Sequence, residues 1–166
     1  MKTKIDAKKR IMYIQGEDYN YLCYNLIIIL SFYECYSEER CFKDFRKVAY
    51  LIDFMSSEKK YDEYSKEELT NIYSRAQVRK KLISHLLIVL KNKGLIDIGI
   101  NSTHKTFNVW LVDSSDVELF AENEYFDDEY RSLASFKRDF SGIKTATIKT
   151  MVDKIFKGKG VFTWEI

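Results

Sequence analysis

At 166 residues, with 46% hydrophobic side chains, 12 Tyr and 11 Phe, the chain can bury roughly 70% of its unfolded surface and is too apolar for global disorder. Proline is absent and only six glycines interrupt it, which argues against a many-turned sandwich or barrel and for long helices. The formal net charge of +2 is too small to indicate nucleic-acid binding by itself.

The charges are nevertheless blocked. Residues 1–10 carry Lys2, Lys4, Lys8, Lys9 and Arg10 against Asp6 alone, and eight carboxylates with no Lys or Arg fall between Asp113 and Tyr130. The sign then reverses through Lys137, Arg138, Lys144, Lys149, Lys154, Lys157 and Lys159. Blocks of this kind predict separate acidic and basic faces for different partners. Cys23, Cys35 and Cys41 form no CxxC pair. Their odd number and the absence of a signal peptide predict buried thiols in a reducing cytoplasm. The apolar run Leu26–Leu30 falls far short of the about 20 residues that span a bilayer, so a soluble protein without membrane contact is expected.

In chain order, Arg10–Ile14 has mixed β character. A helix is predicted from about Asp18 to Tyr36, apolar nearly all round through Leu22, Leu26, Ile27, Ile29, Leu30 and Tyr33, and so central in the core. A second is predicted over Phe42–Met55, where Phe42, Phe45, Val48, Ala49, Ile52 and Met55 make one stripe at three- and four-residue steps. Ser65 and Glu68 read as a capping box for a short helix through Tyr73. Ser74 then caps a long helix, with Val78, Leu82, Leu86, Val89 and Leu90 inward and Arg75, Arg79, Lys80 and Lys91 off the stripe. Gly94 closes it in the left-handed conformation.

After Gly94 the period switches to alternation. Leu95–Ile100 and Thr106–Val112 read as strands about the turn Asn101–Lys105. Helices, a long helix, glycine and a hairpin, in that order, predict a mainly α winged helix-turn-helix. The domain spans residues 18–113, behind a basic segment 1–17 and ahead of a helical extension and tail, 114–166. In the extension one helix starts near Asp116 and carries Val117, Phe120, Tyr130, Leu133, Phe136 and Phe140. Another runs from about Lys144 to Phe156, with Ile148, Met151, Val152 and Ile155 on one side. The alternating tail Val161–Ile166 suggests an edge strand for the wing or for a partner.

The inventory for catalysis is thin. No glycine-rich loop precedes a helix, as phosphate binding requires, and His85 and His104 stand alone without the paired spacing of a zinc site. Asp127, Asp128 and Glu129 are consecutive, so a helix points them in different directions and they read as a solvated acidic face. No catalytic residue, cofactor site or metal site is expected. For duplex DNA, the start of the Ser74 helix offers Arg75, Gln77, Arg79 and Lys80, and the hairpin tip offers Lys105. An Arg/Lys cluster is also what an ordinary solvated helix face looks like. Protein docking is the other reading, because the tyrosines Tyr19, Tyr21, Tyr24, Tyr36, Tyr61, Tyr64, Tyr73 and Tyr125 exceed what a small core hides.

Three runs carry a family resemblance. They are Ile29-Leu30-Ser31-Phe32-Tyr33, the segment from Phe45-Arg46-Lys47-Val48 to Phe54-Met55-Ser56, and Leu90-Lys91-Asn92-Lys93-Gly94-Leu95-Ile96. Across about residues 20–112 the chain resembles the middle component of bacterial three-component systems built around an SMC-like ABC ATPase, including Lamassu-type anti-phage defence. The resemblance implies a non-catalytic subunit that joins the ATPase to an effector, often a nuclease, in a DNA-sensing complex. No site residue is carried over from the family. The alternative is a stand-alone winged-helix DNA-binding protein that regulates transcription or plasmid replication.

Overall fold

Twenty-seven residues, Lys66–Asn92, form one unbroken helix, α3, which packs against the two helices before it and the strand that follows it. The computed structural model describes residues 19–112 and 124–164. The basic N-terminal segment with Arg10–Ile14 lies outside these residues, as does the acidic stretch 113–123 with Val117 and Phe120.

Helix α1 (Tyr19–Phe32) is apolar on almost every side and buries Leu22 and Leu26–Leu30. It ends four residues before the expected Tyr36. Glu34 takes the left-handed conformation there (φ 53°), and the Cys35 N–H donates back to the Leu30 carbonyl (2.9 Å). Cys35 therefore lies beyond the helix rather than within it. Phe42 was expected to begin the next helix. It instead forms an isolated antiparallel bridge, exchanging hydrogen bonds of 2.9 and 3.1 Å with Val109. A 3-10 turn (Phe45–Lys47) leads into α2 (Val48–Met55), which is buried through Val48–Ile52, Phe54 and Met55. All six residues of the predicted stripe are buried. Helix α2 is central, touching α1, α3 and α4.

The capping box that opens α3 forms as its spacing predicts. Ser65 Oγ accepts from the Glu68 N–H (3.1 Å), and the Glu68 carboxylate accepts from the Ser65 N–H (2.8 Å). The expected break at Tyr73/Ser74 is absent. Neither glycine nor proline stands there, and the buried face runs on through Ile72, Tyr73 and Ala76, so packing on both sides outweighs the slight helix cost of one serine. The buried face is also rotated from the prediction. It comprises Leu69, Ile72, Tyr73, Ala76, Arg79, Ile83, Leu86, Leu87 and Leu90, while Val78 is 57% and Val89 47% exposed.

Gly94 (φ 70°) closes α3, with the Leu95 N–H donating to the Leu90 carbonyl (3.0 Å). The hairpin follows within a residue of expectation. Strands β1 (Ile96–Asn101) and β2 (Thr106–Leu111) pair antiparallel from Ile96↔Leu111 to Asn101↔Thr106. Lys105 stands in the turn with φ 50°.

Helix α4 (Asp127–Asp139) packs Leu133 and Phe136 against α2, with Phe136 stacked on Phe54 (centroids 4.6 Å apart). Helix α5 (Ile148–Ile155) is capped by Thr147 and buries the four predicted residues. Gly160 (φ 79°) then turns the chain. Residues 161–164 form no strand, contrary to expectation. The Trp164 N–H donates to the Tyr73 hydroxyl (3.0 Å), and its ring meets Tyr73 edge-on. The fold is mainly helical with a small two-stranded antiparallel sheet, and residues from all five helices share one core.

Candidate functional site

The DNA-contact candidates on α3 fall in the middle of a helix, and most are held by side chains of α2. Arg79 is 4% exposed. Its Nη1 donates to Asp53 Oδ2 at 2.5 Å and its Nη2 lies 3.4 Å from Oδ1. It thus sits within the buried face, not off it. Arg75, one turn earlier and half exposed, reaches the other side of the same carboxylate (Nη2–Oδ1 3.2 Å). Gln77 donates to the Tyr50 hydroxyl (2.9 Å) and to the Tyr73 carbonyl (3.1 Å), and its oxygen accepts from Lys80 Nζ (3.0 Å). The Lys80 ammonium also lies 4.9 Å from the centre of the Tyr50 ring. Lys105 is exposed at the hairpin turn and shares no hydrogen bond or ion pair with the other four among the described residues. These contacts make an α2–α3 tie of opposite charges and amides, with one cation at the hairpin tip apart from it.

Asp53 is the residue of this tie that sequence reasoning overlooked. Its signal was a lone carboxylate in the otherwise apolar Val48–Met55, which is costly to bury without a cation opposite. Lys47 was overlooked for the same reason. It is fully buried, and its Nζ donates to the carbonyls of Ile143, Lys144 (3.2 Å) and Ala146 (2.7 Å). Burial lowers its pKa from 10.5 to about 8, a shift opposed by the nearby Asp44 carboxylate. This ammonium fastens the start of α2 to the turn before α5.

A polar cleft of about 340 Å³ lies beside that turn, between it and the hairpin, with Lys43, Asp44, His104, Asn108, Thr145 and Thr147 in its wall. Asp44 is buried and has φ 62°, a backbone region that costs a non-glycine residue energy. The cost is offset by a bidentate Arg46 pair (2.8 and 2.7 Å) and by Asn108 Oδ1, which accepts from the Asp44 N–H (3.1 Å). Through Asn108 and the Thr106 hydroxyl, which donates to Asp44 Oδ1 (3.3 Å), Asp44 ties the start of α2 to the hairpin.

The other face of α3 differs in character. Val78, Ile88 and Val89 are 57%, 60% and 47% exposed, and Leu82 is half-buried between them. Toward the C-terminal end this ridge borders a groove of about 510 Å³ shared with α1 and the first residue after Gly94. Its wall includes Tyr19, Cys23, Ile88, Val89 and Leu95, with His85 and Lys93 among the lining. The signal for it was a surplus: α3 carries more apolar residues than one buried stripe accommodates.

The thiols are not activated. Burial raises the pKa of Cys23 and Cys41 and pushes Cys35 up to about 12, so all three stay protonated at neutral pH. His85 and His104 are both exposed, and Asp127 and Asp128 face solvent at the start of α4. Among the described residues no group of three or more His, Cys, Asp or Glu is placed to hold a metal ion, and no helix is long and apolar enough to cross a membrane. Comparison with protein-family models, with curated proteins and with solved structures finds no match to this chain.

Proposed function

We propose that the chain is a non-catalytic accessory subunit that works by docking onto larger protein partners in the cytoplasm. The partners are those its family resemblance implies, an SMC-like ABC ATPase and an effector such as a nuclease, acting in anti-phage or anti-plasmid defence. The observation that carries the reading is the division of labour on α3. Its cationic and amide residues Gln77, Arg79 and Lys80 are engaged within the protein, while Val78, Ile88 and Val89 stand toward solvent. Large apolar side chains grouped on one exposed face are a mark of interaction surfaces.

The fold reading that accompanies this proposal is a winged helix-turn-helix with a C-terminal helical extension. What supports it is the order helix, bridged residue, helix, helix and hairpin, with Phe42 pairing to the outer side of β2. The same order, with Lys105 exposed beyond the sheet, favours the second reading of a DNA-binding regulator. Co-expression with the products of adjacent genes separates the two. Co-purification with a long coiled-coil ATPase, together with weak DNA affinity of the isolated chain, supports the accessory subunit. Tight, steeply salt-dependent binding of a defined operator by the isolated chain, lost in Lys105→Ala, would replace it with the regulator.

A further inference from the structure

The groove between α1 and the C-terminal half of α3 combines two features. Its wall is apolar, through Cys23, Ile88, Val89 and Leu95, and large hydrophobic side chains at its margin, Tyr19, Ile88 and Val89, are about half exposed. The lysine charges at its edge are also of one sign. His85 and Lys93 line it, Lys81 stands exposed one turn before His85, and no carboxylate takes part in the wall. Neither Lys81 nor Lys93 enters an ion pair among the described residues, whereas Lys91 on the neighbouring face is taken by Asp97 (2.5 Å).

We propose that this groove is the seat of an amphipathic helix of a partner protein, one that carries Asp or Glu along the margins of its apolar stripe. The proposal rests on the accessory-subunit reading for the existence of the partner and deepens it by naming the docking face. A helix fits because both long walls are helices, and neither offers an open strand edge for an added strand to bond. Apolar ridges at Val78, Leu82 and Val89 repeat at the steps that a second helix can pack against. Acidic margins fit because Lys93 and Lys81 would otherwise border a desolvated contact without counter-charge, which is costly. A second copy of this chain fits less well, since the same face would oppose Lys81 and Lys93 to themselves. The N-terminal segment, with Lys2, Lys4, Lys8, Lys9 and Arg10, has the same mismatch of sign.

The test uses the full chain and three fluorescent helical peptides. One bears a leucine stripe with glutamate margins, the second the same stripe with lysine margins, and the third scrambles the first. The expected result is saturable binding of the glutamate peptide, binding of the lysine peptide about tenfold weaker or worse, and none of the scramble. Ile88→Glu should abolish binding while leaving the circular dichroism spectrum unchanged. Lys93→Glu combined with Lys81→Glu should reverse the preference between the two charged peptides. Equal affinity for both charged peptides, no binding of either, or binding that survives Ile88→Glu would each overturn the proposal. So would a dimer in light scattering that Val89→Glu dissolves, or binding that appears only when residues 113–123 are replaced by a neutral linker. Peptide failure with intact co-purification of the ATPase sinks the groove alone. Failure of co-purification sinks the accessory-subunit reading whatever the peptides do.

Discussion

Arg75 and Arg79 lie one turn apart and share the carboxylate of Asp53, but burial makes them unequal. The Arg79 side chain is 5% exposed and that of Arg75 52%. Removing Asp53 strands a guanidinium in the interior, and breaking such a pair costs about 3–5 kcal/mol, whereas a solvent-screened partner contributes about 1 kcal/mol or less. Asp53→Ala should therefore lower stability in urea by at least about 3 kcal/mol, and Arg75→Ala by no more than about 1 kcal/mol. Equal losses would contradict the geometry. Lys47 supplies a pH signature. Its folded pKa of about 8 lies below the unfolded 10.5, so between those values the unfolded chain holds the extra proton. The contribution from this group is complete above 10.5 and is lost as pH falls through 8. The stability of the wild type relative to Lys47→Met should rise with pH across that window, by at most about 1.4 kcal/mol per unit. A flat or falling difference in chemical denaturation would contradict a depressed ammonium.

Legibility in the sequence varied by element, for physical reasons. The end of α3 at Gly94, the hairpin and the buried side of α5 were readable because each depends on local chemistry: a left-handed residue, a period of two, or a cap followed by a stripe. The unbroken middle of α3 was not, because Ser74 has the side chain of a cap, and contacts from α2, Phe156 and the tail hold the helix on either side of it. The inward turn of Arg79 depends on Asp53, 26 residues away, and no periodicity of α3 encodes that. Likewise Phe42 satisfies a helical stripe and a strand bridge equally well, until Val109 is known to lie opposite. The groove was half legible, as a surplus of apolar residues without a place to put them. Proline tests the continuity of α3 directly. At the first position of a helix capped by Ser74, Arg75→Pro would be tolerated. In mid-helix it should cost about 3 kcal/mol or more beyond Arg75→Ala, measured by thermal or urea unfolding.

At the scale of the whole molecule, the residues after the hairpin are not an appendage in energetic terms. Phe156 lies among Tyr50, Phe54 and Tyr73, with centroids 5.5, 6.2 and 5.3 Å away, and Phe136 covers the other part of Phe54. A core shared in this way predicts one cooperative transition. Phe156→Ala should cost about 3–5 kcal/mol without splitting it, and residues 19–112 alone should show no sharp thermal transition by near-ultraviolet circular dichroism. A stable, cooperative 19–112 fragment would show that the core divides.

The Lys47 ammonium has a kinetic consequence as well. Its acceptors at Ile143 and Ala146 are 96 and 99 residues away along the chain, so the clasp can close only after α3, the hairpin and α4 have brought the two ends of that loop together. Contacts of such long sequence separation form late. A clasp that is missing from the transition state acts on the way out of the native state, not on the way in. Shortening the side chain at residue 47 should hasten unfolding and leave the refolding rate almost untouched, setting the lifetime of the folded protein more than the speed of its birth.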